Sequence, residues 1–270
     1  MVARVRSLED RLLPHGWLDA IRQLSLFALA YLGYRLVRGF AEGSAGAAFA
    51  HARDLISLER SMHLFVEPSV QAWASGSHFV ILLASWLYVN AQGPITIAAL
   101  LYLYLRHNDS FYFVRNMFMF AMGIALVAYV AFPTAPPRFL PEWGFTDTVA
   151  NFTIVNDTHT SASVSALFNP YAAVPSMHVA FALMIGWPLA RLVRMRAGRV
   201  LWMLYPFVMT FVIVVTANHF LVDALLGAIT AGMSAYAASW LGRARPAVWR
   251  FSGVSRGGAS AARAGAPAGG

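Results

Sequence analysis

The chain has 270 residues, 59% of them hydrophobic and 12% charged, with a formal net charge of +8 and no cysteine. That is about half the charge of an ordinary soluble domain, which excludes one, and the missing cysteine excludes disulfides, a thiolate nucleophile and cysteine-based metal sites. The positive charge is not a nucleic-acid footprint: every basic residue is Arg, and the arginines gather at the ends of apolar runs, as topology signals do. Arg without Lys, with abundant Ala and Gly, is the composition of a GC-rich bacterial genome. The expected location is therefore the bacterial cell (inner) membrane.

In chain order, residues 1–17 form a basic N-terminus. The apolar run 18–38 contains Arg22, Tyr34 and Arg35 and exceeds a signal-peptide core, so it is expected to be an uncleaved first span. Residues 47–75 mix apolar positions with Arg53, Asp54, Glu59 and Arg60 at helical spacing. They are expected to form an outer amphipathic helix lying on the membrane. Five further spans follow at 78–105, 111–132, 174–192, 200–217 and 220–241, each near the length that crosses a bilayer. Gly93-Pro94 interrupts the second span, but its halves are too short to cross separately, so one kinked helix is expected. The fold class is thus all-α, a polytopic bundle of six transmembrane helices. Residues 18–242 form its membrane domain, and 243–270 a disordered cytoplasmic tail.

Arginine placement gives the orientation. Arg4, Arg6 and Arg11 precede the first span, Arg106 and Arg115 flank a turn, Arg191 to Arg199 fill another, and Arg243 onward follow the last span. All fall on one side if residues 78–105 cross once. Both termini are then cytoplasmic. Glu42, Asp54, Glu59, Glu67, Glu142, Asp147 and Asp157 fall on the outer side with His178 and His219.

Ionisable groups at the mouths of apolar helices are functional candidates. His219 stands four residues before Asp223. In a helix starting at this point, the carboxylate would accept from one imidazole nitrogen and leave the other more nucleophilic. The same pair also reads as a helix-end cap or as half of a metal site. Pro175-Ser176-Met177-His178 opens another apolar run. A helix start presents free amides to an anion, and a histidine in its first turn can protonate a leaving alkoxide; a plain helix boundary is the alternative. In Pro133-Thr134-Ala135-Pro136-Pro137-Arg138, the guanidinium stands against the positive-inside trend. It can clamp phosphate in a bidentate way, or snorkel to lipid headgroups. Tyr88, Asn90 and Gln92 make a polar step in the second span, expected to bond between helices.

Taken in order, APPR, NPYAAVPSMH and HFLVD, within residues 132–223, resemble the signature motifs of the type 2 phosphatidic acid phosphatase superfamily. The wording is similar to its branch of inositol phosphorylceramide synthases and bacterial inositolphosphotransferases. The resemblance implies a phosphohistidine intermediate on His219, oriented by Asp223, with His178 as general acid. It also implies phosphate binding by Arg138 with the Ser176 region, and neither metal nor other cofactor. Two family cations are absent: Ala131 stands seven residues before Arg138, and Ile213 six before His219. Asn218, Asn169 or backbone amides are the candidates to compensate. The expected activity is metal-independent phosphotransfer on a lipid or polyprenyl phosphate, with a polyol acceptor held by Asn151, Asn156, Asp157 and His159 in the loop 133–173. The alternatives are a lipid phosphate or polyprenyl diphosphate phosphatase and, outside that class, a transporter or scaffold with an inactive site.

Overall fold

The computed structural model describes residue 13 and residues 16–40, 44–150 and 169–245. The expected acceptor residues Asn151 to His159, the first twelve residues and the chain beyond residue 245 lie outside them. The long elements among the described residues are all helices: α1 Gly16–Phe40, α2 Ala45–Ser61, α3 Glu67–Ser75, α4 His78–Arg106, α5 Asn108–Ala131, α6 Met177–Leu192, α7 Arg196–Val215 and α8 Leu221–Ala244. Among them α4, α5, α7 and α8 are long and apolar enough to cross a membrane. Helix α6 is apolar but has 16 residues, while α1 has 25 and carries Asp19, Arg22, Arg35 and Arg38. Large apolar side chains cover the outer surface; Phe207 and Tyr236 are each 72% exposed. Such a surface suits lipid and not water.

Helix α4 runs unbroken from His78 to Arg106 through Gly93-Pro94, one helix long and apolar enough to cross a membrane. Pro94 has no N–H for the Asn90 carbonyl, and its ring crowds that turn. The helix widens just before it into a π segment, Leu87–Ala91, and segments of this kind cluster at functional sites.

Helix α5 is central. Phe111, Val114, Phe118, Ala121, Ala125 and Tyr129 form its buried side, packed with residues of α4, α6 and α8. Helix α8 contributes Gly227, Ala231, Ser234 and Ala238, a small-residue stripe at helical spacing that lets backbones approach. A Cβ on Gly227 would collide with the Ser176 carbonyl oxygen, so the crossing of α8 over the start of α6 needs glycine. Gly186 does the same for α6 and α7, where a Cβ would sit 2.7 Å from the Trp202 carbonyl oxygen.

Buried polar groups fasten α1. Asp19 accepts from Gln23 at 3.0 Å, from the Tyr104 hydroxyl at 2.9 Å and from the Tyr112 hydroxyl at 3.3 Å. Arg115 donates to Gln23 and Asn116 and lies over the Tyr112 ring. Further along, the Tyr34 and Tyr129 hydroxyls are 3.5 Å apart.

The outer segment differs from the expectation of one helix lying on the membrane. It folds as two helices, α2 and α3, joined by a turn at residues 62–66. Its buried side includes Ala48, Ala52, Leu55, Ile56 and Glu59, with Glu67, Gln71 and Ala74. Leu55 and Ile56 pack with Leu140, Phe145 and Phe220. The segment therefore covers the ends of α5 and α8 as a cap. Glu59, expected on a polar outer face, is fully buried because α8 supplies it with a backbone donor.

Candidate active site

The three motif segments meet at the end of the bundle beneath this cap. Motif one leaves α5 in an extended path. The His51 ring stacks on Phe132 at 4.0 Å, and its Nδ1 is 2.7 Å from the Pro133 carbonyl oxygen, which fixes Nδ1–H as donor. Thr134 N–H donates to the Tyr171 carbonyl at 2.8 Å, which ties motif one to motif two. Arg138 N–H donates to the Ala217 carbonyl at 2.8 Å, which ties motif one to motif three. Ser176 N–H donates to the Asp223 carbonyl at 3.0 Å and closes the triangle. Backbone bonds thus hold together three segments far apart in the chain, the last two separated by α6 and α7.

His178 is the second residue of α6 and is half-buried. The π segment of α4 supports it. Tyr88 stacks on the His178 ring with centroids 4.4 Å apart and planes at 24°, and Gln92 Nε2–H donates to the His178 carbonyl at 2.8 Å. The polar step in α4 therefore makes the interhelical bond expected of it, and makes it at this histidine. Asn90 instead donates to Trp86 in its own helix. Ser176 caps α6 in an extended conformation, and its buried hydroxyl has no protein partner among the described residues.

His219 lies in the turn between α7 and α8. Asn218 N–H bonds the Ile213 carbonyl at 3.0 Å and Ala217 N–H bonds that of Val214 at 2.9 Å, the Schellman pattern of a helix end. Ala217 takes the left-handed conformation, φ 50°, which glycine normally fills. A strained residue immediately before two site residues needs support from around it; here the side chain is fully buried among Phe220, Leu140 and Ala135.

His219 and Asp223 do not stand on one helical turn, as their spacing suggests. Helix α8 begins at Leu221, beyond His219. Asp223 is the third residue of α8 and turns back, so that Oδ2 accepts Phe220 N–H at 2.9 Å and lies 3.3 Å from His219 Nδ1. The pair is brought together by a capping interaction. The approach is longer than a tight charge-assisted bond. Asp223 is fully buried, His219 nearly so, and the His178 and His219 rings are 5.8 Å apart at 59°.

Arg138 lies over the Phe139 ring at 4.8 Å, and its Nε is 3.5 Å from Asp147 Oδ2. Asn218 gives both side-chain donor bonds to Thr216, at 2.8 Å to the hydroxyl and 3.1 Å to the carbonyl. Asn169 accepts from Tyr171 N–H at 2.8 Å. These asparagines are committed to shaping turns. Ala131 is exposed and Ile213 fully buried, so neither position offers a substitute cation. Among the described residues no group of three His, Asp or Glu is placed to hold a metal ion.

Two acids at the site escaped the sequence reading: Glu59 and Glu67, which accept backbone N–H groups of α8. Glu59 could have been found, because it continues the apolar stripe of Ala48, Ala52, Leu55 and Ile56 at helical spacing. Glu67 reads as an ordinary acidic helix start.

No curated protein and no solved structure matches the chain. A family model, that of the PAP2 superfamily, matches residues 53–237, a stretch that takes in most of the cap, all three motifs and most of the bundle. The match covers more than half of the chain, and the protein belongs to the PAP2 superfamily.

Proposed function

We propose that the protein is a lipid phosphotransferase of the inositolphosphotransferase kind, working through a phosphohistidine on His219. The observation that carries this reading is the triangle of backbone bonds that brings His178, the His219–Asp223 pair and Arg138 to one end of the bundle. His219 Nε2 attacks phosphorus while Asp223 accepts the Nδ1 proton's hydrogen bond and stabilises the ring as it gains charge. The N–P bond forms as the P–O bond to the lipid breaks, and His178 gives its proton to the departing oxygen. The acceptor hydroxyl then attacks the phosphohistidine, loses its proton to His178 and releases His219. Arg138 exchanges Asp147 for the substrate phosphate, and the Ser176 hydroxyl gives it a second donor. Asn218 serves indirectly, through the turn that carries His219.

The membrane arrangement that fits is six spans, both termini cytoplasmic, with the site at the outer face of a bacterial inner membrane. Asp19 and Tyr34 of α1 meet α5 at Tyr112 and Tyr129, a distance of about 25 Å along a helix, so α1 runs the depth of the bundle. Arg106, Arg191 and Arg194 mark the end opposite the site.

The test uses right-side-out vesicles given a labelled lipid phosphate, with a chelator and with or without polyols such as inositol added outside. The reading predicts a labelled polyol phosphate or polyol phospholipid that forms despite the chelator. Free phosphate or free headgroup phosphate at every polyol concentration would leave the phosphatase reading instead. No turnover of any phosphorylated lipid would sink both.

A further inference from the structure

Two buried acids have no part in the reaction just described. Glu59 of α2 and Glu67 of α3 are both fully buried. Glu59 Oε1 accepts Val222 N–H at 2.8 Å, and Glu67 Oε1 accepts Leu221 N–H at 2.9 Å. With Asp223 on Phe220 N–H, three consecutive amides at the start of α8 each meet a carboxylate. These are the amides a helix start leaves without partners, and two of the three acids come from the cap.

Bound to neighbouring amides, the two carboxyl groups lie side by side in the buried junction. Ionised carboxylates offer only lone pairs, so two buried side by side can bond each other only through a proton on one of them. Their outer oxygens, Oε2 of both residues, are buried and have no hydrogen-bond partner among the described residues. Like charges packed together oppose each other's ionisation, and Asp223 adds a third acid beside them. Burial first, then the contact with Glu67 and the charges of Glu67 and Asp223, push the Glu59 carboxyl up to about 9 against the lowering effect of the Val222 amide.

We propose that Glu59 and Glu67 are positioning residues for the phosphoryl transfer: a carboxyl pair sharing one proton, which clamps the first turn of α8 and holds His219 and Asp223 in register with His178. The role rests on the phosphotransfer reading; the shared proton does not. The clamp also occupies the amides of Leu221 and Val222, so those amides do not hold phosphate. That leaves the task to Arg138 and the start of α6.

The direction of the pH effect follows from the raised value. The proton on Glu59 stabilises the fold in full below the ordinary value of 4.5, and this contribution is lost as pH rises through about 9. Glu59→Gln imitates the protonated acid: its carbonyl accepts Val222 N–H and its amide donates to Glu67. Infrared spectra of the purified protein at about pH 7 should show a protonated-carboxyl C=O band that Glu59→Gln lacks. In kinetics, Glu59→Gln should keep kcat near neutrality and lose the alkaline decline of the unmodified protein. Glu59→Ala should lower kcat roughly tenfold or more, about 1.4 kcal/mol, with KM little changed. Identical infrared bands in the two proteins overturn the shared proton, and that measurement needs no substrate. A Glu59→Gln variant as impaired as Glu59→Ala, or one with an unchanged alkaline decline, overturns the positioning role. If no phosphorylated lipid is turned over, the function reading falls while the infrared result still decides the pair.

Discussion

His178 and His219 differ in how the fold holds them, and the difference matches the roles proposed for them. His219 is nearly buried beside a buried carboxylate, as a nucleophile that must keep one tautomer requires. His178 is half-buried between Tyr88 and His219, and the exposure it keeps suits a group that trades protons with a leaving lipid and an incoming hydroxyl. Replacing His178 with Ala should therefore lower kcat by roughly 10²–10⁴, the usual worth of a general acid, with KM little changed. Steady-state kinetics on the purified variant checks this, and an unchanged kcat removes His178 from the chemistry. These two histidines, Asp223 and Arg138 were legible in the sequence because a polar residue beside an apolar run stands out. Glu59 and Glu67 were not recognised, because the donors that justify their burial lie on α8, 154 and 163 residues away. Asp223 was paired with His219 on a geometry that the structure corrects: a spacing of four suggests a helical turn, but His219 precedes the helix and the approach arises from the capping bond to Phe220.

At the scale of elements, apolar run length located α4, α5, α7 and α8, because lipid demands length and apolarity together. It also gave α4 as one kinked helix and not two short ones. What it missed is where helices bend and what they rest on. The π segment that aims Tyr88 at His178, and the folding of the outer segment into two capping helices, both depend on neighbours that a single window does not contain. Contact between elements yields a sharp test. Helix α8 approaches the Ser176 carbonyl so closely that Gly227 leaves no room for a methyl group, whereas a Cβ on Gly232, in the same helix, meets nothing within 4 Å. Gly227→Ala should cost about 1–3 kcal/mol of stability, the usual penalty of overpacking. It should also depress activity by displacing Ser176 and, through it, the start of α6. Gly232→Ala should change neither. Thermal melting in detergent alongside the activity assay makes the comparison, and equal behaviour of the two variants would refute the close crossing.

At the scale of the whole molecule, a bundle of apolar helices supports one polar end. The motifs are scattered from residue 132 to residue 223, and backbone bonds between Thr134 and Tyr171, Arg138 and Ala217, and Ser176 and Asp223 join them. The cap of α2 and α3 then covers the junction, and His219 and, in part, His178 are withdrawn from water. A site organised in advance spends little energy on rearrangement during the reaction. The central claim is that His219 becomes phosphorylated, and it can be tested on the covalent bond itself. A labelled phosphoryl donor with an aryl leaving group needs no protonation to depart, so His178→Ala should still form the intermediate but lack the base that discharges it. After an alkaline quench, mass spectrometry should find an acid-labile phosphoryl group on the peptide containing His219, absent from the His219→Ala protein. Label on another residue, or turnover of the donor with His219 never modified, would contradict the account.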